Sequence, residues 1–559
     1  MTGSSMRRRW PQLIYALPLL FLLLFFFHPL GSILGLSLAP EGALDLQPLR
    51  VLVSQPYYLR VLWFTVWQAA LSTLLTLLLG LPAAFVFARY EFRGKGLLRA
   101  LTTIPFVLPT MVVATAFTSW LGPNGRLNDW LMASFHLSAP PVDIQHTIWL
   151  ILLAHVFYNV TIVVRIVGGF WANLDPRQAE AARVLGAGRR QVFREVTLPL
   201  LAPAIAAAAL LVFLFCFTSF GVILVLGGPH FATLEVEIYR QAVNLFHLPL
   251  AAALAIVQII LTFLIMTVYT RLQARLTVPV EFRPRRATQR RPGRWRDRLL
   301  VVVCLGGMLV LLLSPLLALA ERSLSLGGRF GLQNYRELFV NRTQSIFFVP
   351  PAQAIRNSLL FALATVLLSL LVGVISAYLL APSQRRGRAL LDPLFMLPLG
   401  TSAVTLGFGY IIALDEPPLN LRTSPALVVL AHTLVAFPFV VRTLLPVLRG
   451  MNPQLRAAAA VMGASPSRLL KEIDLPLLFP ALLVGAVFAF TVSMGEFGAT
   501  VLVARPESPT LPVAIFRFLG QPGLLNYGQA LAMSTLLMIV CGIGFVLIER
   551  FRVGDVGEF

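Results

Sequence analysis

Long apolar runs separated by short polar and basic segments dominate the pattern along this chain. A helix needs about 20 predominantly apolar residues to cross the ~30 Å hydrocarbon core of a bilayer. We predict a membrane-spanning helix in each run that approaches or exceeds this length, at approximately 12–36, 61–88, 101–121, 147–169, 202–226, 249–270, 299–320, 356–380, 390–413, 425–446, 478–503 and 527–549. The pattern therefore predicts an all-α polytopic membrane protein with about twelve transmembrane helices.

Composition and charge agree with a membrane protein. Hydrophobic residues make up 57% of the 559 residues and charged residues only 12%, where a soluble domain has about 25% charged residues. The net charge of +21 is gathered in clusters between the apolar runs, at Arg7–Arg9, 89–99, 183–194, 271–298, 385–388 and 449–471. With a cytoplasmic N-terminus all of them fall on the cytoplasmic side, as the positive-inside rule requires. We therefore expect contact with membrane lipid and no binding to nucleic acid.

Two polar segments inside this apolar chain share one skeleton. The segment EAARVLGAGRRQVFREVTLPL occupies 180–200, and AAAAVMGASPSRLLKEIDLPL occupies 457–477. Gly186 corresponds to Gly463, and Pro199 corresponds to Pro476, each at an offset of 277 residues. The offset holds without insertion over a long stretch on both sides, so the chain is a duplication.

The duplication sets the predicted domain organisation. Each half carries six spans and returns to the same side of the membrane, so the halves are parallel repeats related by an axis along the membrane normal. The predicted parts are an N-terminal segment with the first span (1–56), repeat 1 (57–270), a basic cytoplasmic linker (271–298), the seventh span with an outer loop (299–354) and repeat 2 (355–559). Residues before the linker are called the first half below, and residues after it the second half.

Each repeated segment predicts two short helices joined by a tight turn. In the first, Asp175 is a candidate N-cap ahead of Pro176, and Gly186 allows a left-handed turn. In the second, Asn452 precedes Pro453, Ser465 precedes Pro466, and Gly463 marks the turn. We call residues 175–199 the first knob and residues 452–476 the second knob. A stiff pair of helices with small apolar residues suits a contact with another protein.

The two knobs resemble the cytoplasmic signature of permeases from binding-protein-dependent ABC importers. The matching residues are Glu180, Ala181, Ala182, Gly186, Leu198 and Pro199 in the first knob, and Ala458, Ala459, Gly463, Leu475 and Pro476 in the second. The second knob departs from the pattern, because Ala457 stands where the family has a glutamate. The whole chain is similar to the fused, two-permease type known for thiamine and ferric iron.

The resemblance implies a type I ABC importer permease fold, a multi-pass location in a bacterial inner membrane and cytoplasmic termini. It also implies two copies of an ABC ATPase on the knobs and an external or periplasmic substrate-binding protein. The chain has no Gly-x-x-x-x-Gly-Lys-Ser/Thr phosphate loop of its own. We therefore expect ATP hydrolysis from a separate subunit, and we expect no catalysis, cofactor or metal site in this chain.

Several alternatives stay open. Thiamine is the first substrate expected from the resemblance, with ferric iron or another small solute as the alternative. A proton- or sodium-coupled secondary transporter with six plus six spans is the main rival of another class, although it does not explain the matched knobs. An integral-membrane enzyme or a channel is a third possibility, without a catalytic group of residues to support it.

Candidate path residues lie near the ends of the fifth and eleventh predicted spans. They are Ser219 and Phe220 in the first half, and Ser493, Glu496 and Phe497 in the second. An ionisable residue in a span is costly and is often functional. Glu496 either favours a cation in the path or is a structural carboxylate satisfied by neighbouring helices. His155 and His432, which are repeat partners, are expected to pack and hydrogen-bond rather than to bind substrate.

Overall fold

The structure is a computed structural model that describes residues 14–40, 42–276, 289–340, 349–381, 391–415 and 419–551. The arginines at 7–9 and 385–388 lie outside the described residues, and so do 277–288 of the predicted linker. The linker's far end joins the first half through a short backbone bridge. The amide of Arg290 donates to the carbonyl of Arg89, and the amide of Glu91 donates to the carbonyl of Arg290, each at 3.0 Å.

Ten continuous helices in the described residues are long and apolar enough to cross a membrane. They are Ile14–Leu38, Pro56–Arg89, Ile148–Asn173, Arg189–Phe217, Leu248–Leu272, Trp295–Ser323, Pro351–Leu380, Ala426–Gly450, Pro466–Gly495 and Leu524–Ile548. Shorter helices include Gln47–Ser54, Arg126–Phe135, Pro176–Val184 and Pro453–Val461, and the antiparallel strands Ser325–Leu326 and Arg329–Phe330 follow the seventh span. The all-α multi-span architecture predicted from the hydrophobic pattern is confirmed.

The third and ninth predicted spans, 101–121 and 390–413, are broken rather than straight. Lys95–Pro105 and Thr110–Phe135 meet at 103°, and Leu391–Gly400 and Ala403–Ala413 meet at 97°. In the first half the break falls at Leu108, whose backbone is extended because the following Pro109 disfavours a helical conformation. In the second half the new helix begins at Ser402, whose hydroxyl accepts the amide of Thr405.

The fifth and eleventh predicted spans, 202–226 and 478–503, end earlier than the sequence indicates. The helix of the first half ends at Phe217 and is followed by the short helices Gly221–Leu226 and Leu234–Tyr239. The helix of the second half ends at Gly495 and is followed by Thr500–Val503 and Leu511–Leu519. The apolar run continues through each break, which is why hydropathy alone joins the pieces.

The first span of each half packs against the other half. In the first span, Phe21, Leu22 and Phe26 belong to a core of second-half residues, and the ring of Phe21 lies 6.1 Å from that of Phe437. In the seventh span, Leu305 and Met308 face Phe87 of the first half across one small cavity. This exchange ties the halves together, so neither six-span half buries its own core alone.

Candidate functional site

The first knob has the local structure that its sequence predicts. The side chain of Asp175 accepts the amide of Arg177 at 3.0 Å and caps the helix Pro176–Val184. Gly186 then turns the chain with a φ of +91°, a conformation that costs an L-residue about 1–2 kcal/mol. The second helix begins at Arg189 and is continuous with the fifth span to Phe217, rather than separate from it. A wider helical turn at Phe193–Thr197 precedes Pro199, which has no amide to donate.

The second knob repeats this structure. Asn452 accepts the amide of Gln454 at 3.0 Å and caps the helix Pro453–Val461. Gly463 turns the chain with a φ of +82°, and Ser465 caps the following helix by accepting the amide of Arg468 at 3.4 Å. The wider turn recurs at Leu470–Asp474, and the helix continues as the eleventh span. The duplicated sequence therefore produces the same helices and turns, although Gly188, the repeat partner of Ser465, makes no side-chain cap.

Each knob presents apolar side chains to the outside. Val184 and Leu185 are 88% and 87% exposed, and their repeat partners Val461 and Met462 are 88% and 81% exposed. These four values exceed those of all other large hydrophobic residues among the exposed ones described. Most of the predicted coupling residues are exposed around them, namely Glu180, Ala181, Gly186, Leu198, Pro199, Ala458, Gly463, Leu475 and Pro476, whereas Ala182 is half-buried and Ala459 is buried. An apolar tip of this kind indicates a protein contact.

The second knob has an ionic brace that its sequence partner lacks. Arg456 donates from Nε and Nη2 to the two carboxylate oxygens of Asp474, each at 2.8 Å. Asp474 also accepts the hydroxyl of Tyr378 at 3.3 Å, and its hydrogen bonds raise the pKa of the Arg456 guanidinium. The corresponding positions of the first knob are Ala179 and Thr197. The brace therefore belongs to the knob that has lost the family's glutamate.

Two of the predicted path residues meet where the halves join. The rings of Phe220 and Phe497 stack with centroids 5.6 Å apart and planes 20° apart. Each also packs on a residue of the helix that follows it: Phe220 on Tyr239 at 5.6 Å and 59°, and Phe497 on Phe516 at 5.4 Å and 60°. Tyr239 and Phe516 are themselves repeat partners at the offset of 277. The four rings form a continuous aromatic row between the halves.

The two predicted serines hydrogen-bond to the paired histidines. The Nε2 atom of His155 lies 2.9 Å from Ser219 Oγ, and the Nδ1 atom of His432 lies 2.7 Å from Ser493 Oγ. The other ring nitrogens contact Ser72 and Thr500, and both histidines are buried. The expectation that these histidines pack and hydrogen-bond is confirmed.

The carboxylate of Glu496 is engaged by its own chain. Its oxygens accept the amides of Ala499 at 2.8 Å and Thr500 at 2.9 Å, and the hydroxyl of Thr500 also donates to it. His432 Nε2 lies 3.5 Å away. The carboxylate of Glu496 therefore accepts the first amides of the short helix Thr500–Val503, whose N-cap residue is Ala499.

Two buried carboxylates were missed by the sequence analysis. Glu235 and Glu237, on the helix Leu234–Tyr239, are 1% and 2% exposed. Their repeat partners are Pro512 and Ala514. Comparison of the repeats would have found them, because the first half has acidic residues at two positions where the second half has Pro512 and Ala514. In the described part of the chain, no group of three His, Cys, Asp or Glu residues is placed to hold a metal ion.

Comparison with known proteins identifies the family. The family model for the binding-protein-dependent transport system inner membrane component matches residues 77–278 and again residues 354–552. The chain belongs to this family. It is a permease subunit of an ABC-type importer, a multi-pass inner-membrane protein and not an enzyme.

The names of relatives of this permease refer to different substrates. It is 29% identical over 491 residues to the thiamine transport system permease protein ThiP of Brucella abortus (strain 2308), covering 87% of this chain and 86% of the relative. It is 28% identical over 509 residues to ThiP of Escherichia coli (strain K12), covering 89% and 90%. A putative 2-aminoethylphosphonate transport system permease protein, PhnU of Salmonella typhimurium, is 31% identical over 260 residues, covering 46% of this permease and 91% of the relative.

Proposed function

We propose that this permease imports thiamine delivered by an external binding protein. The similarity to thiamine permeases supports this substrate, because it covers both halves and the linker between them in the same order. Ferric iron or another small solute is the alternative within the same mechanism. The relative named for 2-aminoethylphosphonate aligns with 46% of this chain, so similarity over one half alone does not favour thiamine.

We further propose that the knobs bind two copies of an ABC ATPase on the cytoplasmic side, where both termini also lie. The observation that carries this proposal is the pair of matched apolar tips, Val184-Leu185 and Val461-Met462, standing almost fully exposed on rigid turns. Burial of such residues stabilises an interface by about 25 cal/mol per Å² of apolar area. The predicted path residues Ser219, Phe220, Ser493, Glu496 and Phe497 are proposed to lie along the route between the halves.

Reconstitution in liposomes tests both proposals. Liposomes that contain the permease and its ATPase should take up labelled thiamine only with ATP and the loaded binding protein. Uptake by the permease alone, driven by a proton or sodium gradient, would establish the secondary transporter instead. Uptake of ferric iron but not thiamine would replace the substrate and keep the mechanism.

Substitution at the tips tests the ATPase contact separately. Val184→Ser with Leu185→Ser, or Val461→Ser with Met462→Ser, should weaken pull-down of the ATPase. Leu44→Ser is a matched control, since Leu44 is 78% exposed but lies outside both knobs. Unchanged pull-down in both tip variants would show that the ATPase binds elsewhere.

A further inference from the structure

The helix Leu234–Tyr239 directs a carboxylate and an aromatic ring toward the other half. Glu235 and Tyr239 are four residues apart and therefore share one helix face. Glu235 accepts a hydrogen bond from the hydroxyl of Ser402, which belongs to the second half. Tyr239 packs on Phe220, which in turn stacks on Phe497 of the second half. One face thus carries a carboxyl group and an aromatic ring at the junction of the halves.

The surroundings of Glu235 do not explain why the residue is acidic. Its partners are neutral: the Ser402 hydroxyl and the Gln258 amide, whose Nε2 lies 3.1 Å from Oε1. In the described residues no nitrogen of Lys, Arg or His forms an ion pair with it, whereas Glu237 has Arg240 at 3.9 Å and the hydroxyl of Tyr57 at 2.8 Å. A buried carboxylate without a cation is costly. The repeat partner is Pro512, so this helix position forms without a carboxylate.

Gln258 adds a second polar group to the same place. Its side chain is 1% exposed, and its Oε1 atom has no hydrogen-bond partner although it is buried. Its amide group is held at the carboxylate of Glu235 through Nε2. Two acceptors, a carboxyl group and an unpartnered amide oxygen, therefore lie together at the helix that carries Tyr239. Acceptors beside ring faces suit a cation that also has a flat ring.

We propose that Glu235, Gln258 and the rings of Tyr239, Phe220 and Phe497 form a transient site for a flat organic cation passing between the halves. This inference rests on the proposed function, because thiamine has a positively charged aromatic ring. In the structure the rings stack on each other and Ser402 covers Glu235, so the site is closed. Separation of the halves breaks the Phe220–Phe497 stack and removes Ser402 from Glu235. The cation then replaces both contacts, and it shifts the equilibrium toward the separated halves because it binds only there.

Uptake of a cation and of its neutral analogue tests the site. Liposomes with the complete importer are given thiamine or an analogue in which an uncharged ring replaces the thiazolium, and the ratio of the two initial rates is measured. Every variant is measured with the same binding protein. Any preference of that protein for the cation or the neutral analogue therefore cancels when the rate ratios of two variants are compared. Glu235→Gln should lower the cation-to-neutral ratio by about tenfold, since it removes one charge interaction in a desolvated site. Glu235→Asp keeps the charge and should restore most of the ratio.

Glu237→Gln is the matched control, because it neutralises a buried carboxylate of the same helix that is bonded within the first half. It should leave the ratio within about twofold of the wild type, whatever its effect on protein level. An unchanged ratio in Glu235→Gln, or an equal change in Glu237→Gln, would overturn the inference. Failure of the proposed function is distinguishable, because then the wild-type importer itself takes up no thiamine and the site for an organic cation falls with it.

Discussion

Phe220 and Phe497, which occupy the same position in the two repeats, stack on each other at 5.6 Å. A residue can contact its own repeat partner only close to the axis that relates the repeats. For parallel repeats this axis runs along the membrane normal, between the halves. The stacked pair therefore lies close to that axis, where we propose that the solute passes between the halves.

The first prediction concerns the energy of this stack. Phe220→Ala and Phe497→Ala each remove one ring, and the double variant removes both. Since stacked aromatic pairs contribute about 0.5–1.5 kcal/mol beyond area burial, the double variant should be destabilised by less than the sum of the singles by that amount. Unfolding in detergent, followed by intrinsic fluorescence under reversible conditions, measures the cycle. Strict additivity would show that the rings are not coupled.

The second prediction concerns the glycine turns of the knobs. A Cβ atom at Gly186 or Gly463 would have no heavy atom within 4 Å, so the obstacle to substitution is the positive φ rather than a clash. Gly186→Val and Gly463→Val should misplace the knob tips, weaken ATPase pull-down and reduce transport while membrane insertion stays intact. Gly188→Val is the control in the same knob, because Gly188 has an ordinary φ of −66°. Normal pull-down with lost transport would place the defect in the path instead.

The third prediction concerns the brace of the second knob. Asp474→Ala removes the acceptor of Arg456, which is 43% exposed at its side chain, so we expect a loss of about 1 kcal/mol in local stability. Hydrogen exchange should become faster in the helix Pro453–Val461 and stay unchanged in Pro176–Val184. Glu472→Ala is the control, because its pair with Arg468 is exposed at both side chains and should contribute little. Equal hydrogen-exchange rates of the helix Pro453–Val461 in the wild type and in Asp474→Ala would show that the Arg456–Asp474 pair does not stabilise the knob.

The knobs could be predicted almost completely from sequence. Caps, turns and short helices depend on neighbouring residues, and Asp175, Asn452 and Ser465 have the side chains that such positions need. The duplication supplied a second, independent copy of each signal. The continuity of Arg189–Phe217 through Pro199 was not expected, because a wider helical turn that accommodates a proline has no clear sequence signature.

The bent spans were not predicted from hydropathy, and the exchanged first helices could not be predicted. Hydropathy reports how apolar a segment is and carries no information about the direction of the helix axis. The break at Leu108 therefore leaves the apolar run 101–121 uninterrupted in sequence. The Leu108-Pro109 pair was the available signal. Contact between Phe21 and Phe437 depends on tertiary packing of lipid-exposed helices that look equally apolar on every face. Glu235 was missed because its buried partners Gln258 and Ser402 are distant in sequence, although its difference from the repeat partner Pro512 was an available signal.

The last prediction concerns Glu496, for which the sequence left two interpretations. The structure shows two backbone amides and one hydroxyl donating to its carboxylate. Loss of a hydrogen bond to a buried charged group costs about 1.5–3 kcal/mol. Glu496→Leu leaves the amides of Ala499 and Thr500 without an acceptor, so it should lower the amount of folded permease. Glu496→Gln keeps one carbonyl oxygen as acceptor. It should lower the amount of folded permease and its thermal stability less than Glu496→Leu does.

Transport by the Gln variant separates the two roles of Glu496. If its carboxylate only accepts the amides of Ala499 and Thr500, transport per folded permease should stay near that of the wild type for both thiamine and the neutral analogue. A fall for thiamine alone would instead assign the cation preference to Glu496, since Gln keeps the shape and removes the charge. Parallel measurement with Glu235→Gln decides between the two carboxylates: we expect the ratio of cation to neutral uptake to fall in the Glu235 variant and to hold in the Glu496 variant. This outcome follows from the contacts, because both oxygens of Glu496 accept from the neighbouring residues Ala499 and Thr500, whereas one oxygen of Glu235 accepts from Ser402 of the other half.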